Sequence, residues 1–250
     1  MTASYPRVLS IAGSDSGGGA GIQADIRTIT NLGGHAMTAI TAVTAQNSEG
    51  VTAVELMAPE MVLAQITAVM DDFGVDAIKI GMLGSPDIAL AIAEYLKTLD
   101  GIAVIFDPVM VATSGAALAD DRTVAAFEKI IPACSLVTPN LDEIERLGGE
   151  EAISRFDAPF LVKGGHGAGD LLIDRLIDAN GEIEHWEGSR IDTRHSHGTG
   201  CTLSSAIATY LAHGEALPAA IEKARDYVRA SLKAAPGFGA GHGPMGVPQI

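Results

Sequence analysis

Short apolar runs alternate along the chain with longer segments in which apolar residues recur every three or four positions. The apolar runs predict buried strands, at 8–12, 37–43, 77–80, 103–106, 135–137 and 160–162. The amphipathic segments predict helices, at 20–31, 60–73, 87–99, 121–131, 141–147, 201–212 and 217–234. Because helices separate most strands, the pattern predicts right-handed strand–helix–strand units in an α/β fold, with a mostly parallel central sheet and helices on both faces.

Three segments depart from this alternation. Residues 51–57 carry apolar side chains at 51, 54 and 56 and predict an edge or flap strand. Residues 171–177 and 183–186 predict a hairpin appended to the sheet, because Asn180-Gly181 between them is a strong turn signal. The tail from 237 to 248 is rich in glycine and proline and has no apolar period.

Length and charge limit the functions that the chain can have. Its 250 residues, 47% of them hydrophobic, can bury a sizeable core, and no segment resembles a linker, so we expect one domain over 1–250. The net charge of −15, without a cluster of Lys or Arg, argues against nucleic-acid or membrane-surface partners. A phosphorylated ligand would have to be bound by backbone N–H groups, a helix end or a bound cation.

The two cysteines, Cys134 and Cys201, form neither a disulfide framework nor a zinc pattern, and we therefore expect a cytoplasmic protein. No apolar run approaches the roughly 18 residues of a membrane span, and the first run is too short for a secretory signal. These features predict a soluble protein without a membrane partner.

The turn 197–202, His-Gly-Thr-Gly-Cys-Thr, opens an apolar helical pattern and is typical of an anion site. Gly198 and Gly200 allow backbone N–H groups to face one point, and the helix adds its free N-terminal N–H groups and positive dipole end. The same dipole predicts a lowered pKa for the Cys201 thiol, which could then deprotonate a hydroxyl. The alternative interpretation is a tight corner that holds a buried thiol.

In a parallel sheet of this kind the ligand crevice lies beyond the carboxyl ends of the strands. The residues after the predicted strands are mostly polar or glycine, and they are Gly13-Ser14-Asp15, Gln46-Asn47, Gly81-Met82, Asp107-Pro108-Val109-Met110, Thr138-Pro139-Asn140 and Lys163-Gly164-Gly165-His166. We therefore expect one site that collects these segments.

Several of these residues have two interpretations. Asp107, Asn140 and Glu143 suit Mg²⁺, which takes one or two protein carboxylates beside substrate phosphates; the local sequence favours a helix N-cap at Asn140 with Glu143 at its third position, and one pair can serve both uses. Lys163 either binds phosphate or nucleotide, or is a strand-end lysine with its amine in solvent. His195 and His197 lack a third metal ligand, which favours solvated or hydrogen-bonded histidines.

The glycine-rich segment 13–21 fits neither a Walker loop nor a dinucleotide fingerprint. So many glycines between a strand and a helix predict that the backbone closely approaches either a ligand or a neighbouring element, and the alternative is a flexible surface turn. Asp25, one turn into the following helix, either reaches into this segment or lies on a solvated face.

Taken together, the motifs resemble the hydroxymethylpyrimidine/phosphomethylpyrimidine kinases of thiamine biosynthesis, in the ribokinase superfamily. The resemblance covers nearly the whole chain, and its motifs are 10–15, 18–25, 44–47, 79–82, 107–110, 138–140, 163–166 and 197–202. It implies a three-layer ribokinase-like fold. It also implies transfer of the ATP γ-phosphoryl group to the hydroxymethyl group of a 4-amino-2-methylpyrimidine and then to its monophosphate.

The resemblance also assigns roles to residues. It implies an anion hole at Gly198, Thr199 and Gly200 and a catalytic base at Cys201, where most of the superfamily has aspartate. The resemblance implies that Gln46 binds the pyrimidine ring. It also implies further substrate contacts from the pocket residues Asp25, Met82, Gly13 and Val109. Nucleotide and Mg²⁺ contacts fall on a second implied set, namely Lys163 and Asn140 for nucleotide, and Glu143 and Asp107 for metal. Members often dimerise, so a homodimer is also implied, with 51–57 as the candidate edge.

Two departures from the family pattern concern the nucleotide side. The segment from Glu143 to Lys163 is short, and Thr113 occupies a position where many members have a lysine that contacts the triphosphate. Two rival functions also stay open. One is a pyridoxal kinase on the same scaffold, against which Gln46 argues; the other is a catalytically silent pyrimidine- or nucleotide-binding protein, against which Asp107, Asn140, Glu143 and Cys201 argue.

Overall fold

The structure, a computed structural model, describes residues 5–164 and 170–249. Its described strands form a nine-stranded sheet in the order β3-β2-β1-β4-β5-β6-β7-β8-β9. The strands are β1 (Arg7–Asp15), β2 (His35–Gln46), β3 (Val51–Leu56), β4 (Ala77–Ile80), β5 (Ala103–Phe106), β6 (Leu136–Val137), β7 (Phe160–Val162), β8 (Leu171–Asp178) and β9 (Gly181–Ser189). β1, β2 and β4 to β7 are parallel, whereas β3 and the β8–β9 hairpin pair antiparallel at the two edges.

Helices cover both faces of this sheet, which confirms the predicted three-layer α/β architecture. They are α1 (Gly21–Asn31), α2 (Pro59–Asp72), α3 (Pro86–Leu96), α4 (Asp121–Ile130), α5 (Leu141–Arg146), α6 (Thr199–Ala212) and α7 (Leu217–Lys233), with short 3-10 helices at Ile131–Ala133 and Glu150–Arg155. In the part of the chain that the structure describes, none of the helices combines the length and apolarity needed to cross a membrane.

The alternation of side chains along each strand divides the core in two. Ile78 and Ile80 of β4 pack into the cluster that contains α2, α3 and α4, whereas Ala77 packs into the cluster that contains α6 and α7. Lys79 shares the α6 side with Ala77, because successive strand residues point to opposite faces. A charged residue is therefore fully buried between the sheet and this helical layer.

The winding of the chain reverses at β1, which lies between β2 and β4. Such a reversal leaves a crevice beyond the carboxyl ends of the adjacent strands. The predicted polar segments follow the strands as expected, so that Gln46 ends β2, Asp107 follows β5 and Lys163 follows β7. The last two positions of the motif 163–166, Gly165 and His166, lie outside the described residues.

Several element boundaries differ from the predicted ones. β1 continues to Asp15 rather than ending at residue 12, because Ser14 and Asp15 pair with Val43 and Thr44 of β2 after a shift in register. α6 begins at Thr199 rather than at Cys201, because the Thr202 N–H already donates to the Gly198 carbonyl in an α-helical bond. In the short segment before β7 the chain forms the 3-10 helix Glu150–Arg155.

Candidate active site

The first turn of α6 lies directly against the ends of β5 and β7. A Cβ atom placed on Gly200 would lie 3.0 Å from Asp107 Oδ2 and 3.5 Å from Lys163 Nζ. A side chain at this position would therefore occupy the space between the helix and these charged groups. The structure thus brings together three residues that the sequence predicted for one site.

The turn before α6 also packs against the glycine-rich segment 13–21. Gly198 has a φ of +88°, and a Cβ there would lie 2.0 Å from the Gly19 carbonyl oxygen. A Cβ on Gly19 would in turn lie 2.3 Å from His197 Cδ2. The neighbouring element that the glycines were predicted to approach is therefore the 197–200 turn, and the flexible-turn alternative is wrong for this segment.

The N–H groups of this turn are only partly available for an anion. The Thr199 N–H donates to the Ser196 carbonyl at 3.3 Å. Gly200 and Cys201 lie in the first turn of α6, where N–H groups have no acceptor within an α-helix. The predicted anion hole at 198–200 therefore has its available donors mainly at Gly200 and Cys201.

The expected activation of Cys201 is wrong for the protein as it stands. Burial raises the pKa of the Cys201 thiol to about 11, an effect to which Asp25 and Asp107 add, while Lys79 and the Gly21 N–H lower it only in part. The residue as a whole is partly exposed, but its thiol group is buried. Cys201 is therefore a protonated thiol at neutral pH, and Cys134 is likewise free, with burial raising its pKa.

Asp25 is neither on a solvated face nor directed into the glycine-rich segment. It is fully buried, and Lys79 Nζ lies 3.0 Å and 2.9 Å from its two carboxylate oxygens. The hydroxyl groups of Ser10 and Ser205 also donate to it, at 2.5 Å and 2.7 Å. The carboxylate predicted to contact substrate thus has its polar partners within the protein, and its substrate role stays a prediction.

Lys163 and Asp107 form a second ion pair, with Lys163 Nζ 2.9 Å from Asp107 Oδ1. The Thr138 hydroxyl donates to the same oxygen at 3.1 Å. The Lys163 side chain keeps 14% of its surface exposed, so its amine is largely enclosed rather than extended into solvent. Burial lowers the Lys163 pKa, but Asp107 and Glu143 raise it more, so the amine is charged.

Asn140 and Glu143 form the predicted capping box of α5. Asn140 Oδ1 accepts the Glu143 N–H, and Glu143 Oε2 accepts the Asn140 N–H, each at 2.8 Å. Burial raises the pKa of Glu143 to about 7, and Asp107 adds to the rise while Lys163 opposes it. The local interpretation from the sequence is therefore confirmed, and the same box holds a second carboxylate close enough to interact with Asp107 and Lys163.

This donor set fits Mg²⁺ better than a metal held entirely by protein. Among residues 5–164 and 170–249, no three His, Cys, Asp or Glu side chains form a group that could hold a metal ion. Mg²⁺ needs only one or two carboxylates because waters and phosphate oxygens complete its shell. Asp107 and Glu143 are two carboxylates of this kind, and they lie close enough to interact with each other.

At the β1–β2 side, Gln46 lies beside His197 rather than free in the crevice. The Gln46 amide nitrogen and Asp15 Oδ2 each lie 3.0 Å from His197 Nε2, and Thr113 Oγ1 lies 3.2 Å from Nδ1. His197 is therefore a buried, hydrogen-bonded histidine, as one of the two alternatives predicted. His195 takes no part in this network, and its Nε2 accepts from Arg194 at 3.4 Å.

The other predicted pocket residues lie between these two regions. A Cβ on Gly13 would lie 2.8 Å from Met82 Sδ, so glycine is needed for Met82 to pack there. The Thr41 hydroxyl donates to the Met82 carbonyl at 2.7 Å, and the Val109 N–H donates to the Asp107 carbonyl at 2.8 Å. Their roles in substrate binding stay predictions.

Sequence reasoning assigned no role to Asp15 or Lys79 and did not foresee the contacts of His197. Asp15 accepts the N–H groups of Gly17, Gly19 and Ala20 and holds the glycine-rich segment in place. Burial raises the pKa of Asp15. The hydrogen bonds from His197 and from the Ala20 N–H lower it, and the pKa lies below its usual range. The sequence did contain one sign of these roles: Asp15 is a charged residue in a glycine-rich motif, and Lys79 is a charged residue in an apolar strand.

Fold and site together define a ribokinase-like small-molecule kinase. The structure is similar to a pyridoxal kinase from Bacillus subtilis in complex with ADP, with a TM-score of 0.85, 32% identity and coverage of 97% of both chains. It is also similar to a phosphomethylpyrimidine kinase from Clostridium difficile 630, with a TM-score of 0.77, 38% identity and coverage of 90% of this chain and 98% of that one.

Sequence comparison identifies the family. The profile of the phosphomethylpyrimidine kinase family matches residues 15–246. A hydroxymethylpyrimidine/phosphomethylpyrimidine kinase from Rhizobium meliloti (strain 1021) is 47% identical over 254 residues, which cover 95% of each chain. The chain belongs to the phosphomethylpyrimidine kinase family.

Proposed function

We propose that the protein is an ATP-dependent kinase that phosphorylates 4-amino-5-hydroxymethyl-2-methylpyrimidine and then its monophosphate, giving the diphosphate used for thiamine. The observation that carries this proposal is the contact of the first turn of α6, at Gly200, with Asp107 and Lys163. This arrangement places free N–H groups, a cation and carboxylates around one point, as phosphoryl transfer needs. Family membership supplies the substrate class.

In this proposal the residues near β5 to β7 bind the triphosphate. Lys163 attracts the phosphate oxygens, Asn140 lies beside the nucleotide, and Asp107 and Glu143 would hold Mg²⁺ directly or through water. The ion would neutralise charge on the phosphates when bound. The N–H groups of Gly200 and Cys201 in the 198–201 turn then stabilise the moving phosphoryl group, since donors fixed in advance cost no reorganisation.

The residues near β1, β2 and β4 bind the pyrimidine. Gln46 can pair with both the amino group and a ring nitrogen, because its amide carries a donor and an acceptor. Met82, Gly13 and Val109 supply the apolar and backbone surface of the pocket, with Asp25 behind it. Replacing Gln46 by Ala should raise the pyrimidine KM, and an unchanged KM would reject its role.

Cys201 is the proposed acceptor of the substrate hydroxyl proton. A thiol with a pKa of about 11 acts as a base only in its minor thiolate form, so this step is demanding. A loose phosphoryl-transfer transition state lowers the demand, because it involves little bond formation to the attacking oxygen. Cys201→Ala should reduce turnover by about 10²-fold with pyrimidine binding retained, and near-normal turnover would overturn the assignment.

The test of the function is a comparison of substrates. ATP consumption is measured with the pyrimidine alcohol, its monophosphate and pyridoxal, since the similar Bacillus subtilis structure is a pyridoxal kinase. We expect both pyrimidines to be phosphorylated with a higher kcat/KM than pyridoxal. A preference for pyridoxal would establish the rival kinase, and pyrimidine binding without ATP turnover would establish a silent binding protein. The proposed homodimer is tested by sedimentation of the same sample.

A further inference from the structure

His197 connects the glycine-rich segment to the proposed pyrimidine-reading residue. Only 7% of His197 is exposed, and its Nε2 faces Asp15 and Gln46 at the same time, each at 3.0 Å. The opposite ring nitrogen faces the Thr113 hydroxyl at 3.2 Å. The imidazole therefore has hydrogen-bond partners at both ring nitrogens. Whether Nε2 carries a hydrogen decides which atom of the Gln46 amide can bond to it.

Asp15 determines where the ring hydrogen lies. Its carboxylate accepts backbone N–H groups from Gly17, Gly19 and Ala20 at 2.8 to 2.9 Å, so it is fixed as an acceptor. An acceptor at 3.0 Å favours a hydrogen on His197 Nε2. The Thr113 hydroxyl can donate or accept, so it suits either form of the ring.

The position of the ring hydrogen determines how the Gln46 amide is oriented, because one end of the amide is a donor and the other is an acceptor. With the hydrogen on Nε2, that one hydrogen is shared between the Asp15 carboxylate and Gln46, and only the amide oxygen of Gln46 can accept it. The NH₂ group then lies at the end of the amide beside Thr44 Oγ1, and one of its two hydrogens can bond to the substrate. With the hydrogen on Nδ1, the amide nitrogen can donate to Nε2, and the amide oxygen lies 3.4 Å from the Thr44 hydroxyl. The pyrimidine would meet a donor in the first case and an acceptor in the second.

We propose that His197, held by Asp15, is a positioning residue that sets the orientation of the Gln46 amide and thereby the specificity for a 4-aminopyrimidine. This inference rests on the proposed function. A ring nitrogen of the substrate accepts from the NH₂ group, and the substrate amino group donates to the second lone pair of the amide oxygen. A 4-oxopyrimidine presents the opposite pattern and is disfavoured.

Two substitutions of His197 distinguish an effect on the orientation of the Gln46 amide from a general effect on packing. Glutamine at 197 can place an N–H group near the position of Nε2, whereas asparagine reaches only the position of Nδ1. In His197→Asn we expect the KM for the 4-amino substrate to rise about tenfold with kcat and the ATP KM nearly unchanged, the loss of one hydrogen bond in a buried site. In His197→Gln we expect most of the affinity to return.

The decisive readout is the ratio of KM values for the 4-amino and 4-oxo pyrimidine alcohols, which does not depend on the folded fraction. We expect His197→Asn to shift this ratio by about tenfold toward the 4-oxo compound, and to add no shift in a Gln46→Ala background. An unchanged ratio in His197→Asn, or an equal shift in the Gln46→Ala background, overturns the inference while leaving the kinase intact. A parent protein without pyrimidine turnover overturns the proposed function and this inference with it.

Discussion

Two lysine–aspartate pairs influence the Cys201 thiol, and they are built differently. Lys79 and Asp25 are fully enclosed, and Lys79 contacts both carboxylate oxygens. Lys163 and Asp107 share one contact at 2.9 Å, and the Lys163 side chain stays 14% exposed. The first pair has equal charges, whereas Glu143 adds a second carboxylate to the other pair.

This difference indicates a structural role for the Lys79–Asp25 pair and a functional role for the Lys163–Asp107 pair. Burial lowers the pKa of Lys79, but Asp25, Cys201 and Asp107 together raise it more, so the lysine is charged, and Asp25 is its partner within the protein. At Lys163 two carboxylates, Asp107 and Glu143, interact with one lysine, and the lysine side chain is not fully enclosed. We infer that the Lys79 pair holds β4, α1 and α6 together, and that the Lys163 pair is completed by ligands.

The largest expected effect is on the enclosed pair. Lys79→Met should lower the free energy of unfolding by about 3–5 kcal/mol, because it leaves the Asp25 carboxylate buried without its partner. The double variant Lys79→Met/Asp25→Leu should recover part of this loss, since both charges are gone. Urea unfolding measures both values, and a loss below about 1 kcal/mol in the single variant would contradict a structural role.

In the Lys163–Asp107 pair, loss of a charge should affect turnover more than the free energy of unfolding. Asp107→Asn should reduce turnover by about 10²–10³-fold, because a charge that organises the phosphates is lost, while the free energy of unfolding changes little. Steady-state kinetics and urea unfolding of the same preparation test this separation. A strongly destabilised protein with near-normal turnover would show that the two pairs have the same role.

Glu143 should make stability depend on pH. Its pKa rises from an ordinary value of 4.5 to about 7 on folding, so its contribution is fully present below pH 4.5 and is lost as the pH rises through 7. Glu143→Gln keeps the capping-box geometry and should remove this part of the pH dependence. Thermal unfolding of both proteins between pH 5 and 8 tests it, and parallel curves would be the contrary result. Added Mg²⁺ should reduce the loss in the parent only.

The smallest effect concerns the cap of α5. Asn140→Ala should lower the free energy of unfolding by about 1 kcal/mol, the usual value of an N-cap. Asn140→Asp keeps a capping oxygen but adds charge, so it should preserve stability and raise the ATP KM. An unchanged ATP KM in Asn140→Asp would remove Asn140 from the nucleotide side.

The strand ends could be predicted from the sequence because alternating apolar runs and helices fix where a parallel sheet collects its polar residues. The capping box at Asn140 and Glu143 was also predictable, because it is a local pattern. The buried pair was not, because Lys79 and Asp25 lie 54 positions apart and Lys79 reads as one polar residue in an apolar strand. The contact of His197 with Asp15 spans 182 positions, and no local signal reports it.

The pKa of Cys201 shows why local reasoning can give the wrong sign. A helix N-terminus is worth about 0.3–1 kcal/mol, and this favours the thiolate. The rise from 9.0 to about 11 corresponds to about 3 kcal/mol against the thiolate, and burial is the largest cause. Burial depends on how α6, the sheet and the glycine-rich segment pack, which only the folded structure shows.

The most direct test of the account is to follow the γ-phosphoryl group of labelled ATP in the presence of Mg²⁺ and the 4-amino-5-hydroxymethyl pyrimidine. We predict that the label moves to the pyrimidine, first as the monophosphate and then as the diphosphate, and that Asp107→Asn slows both steps. Label that appears only as inorganic phosphate, or that moves to pyridoxal in preference to the pyrimidine, would contradict the account.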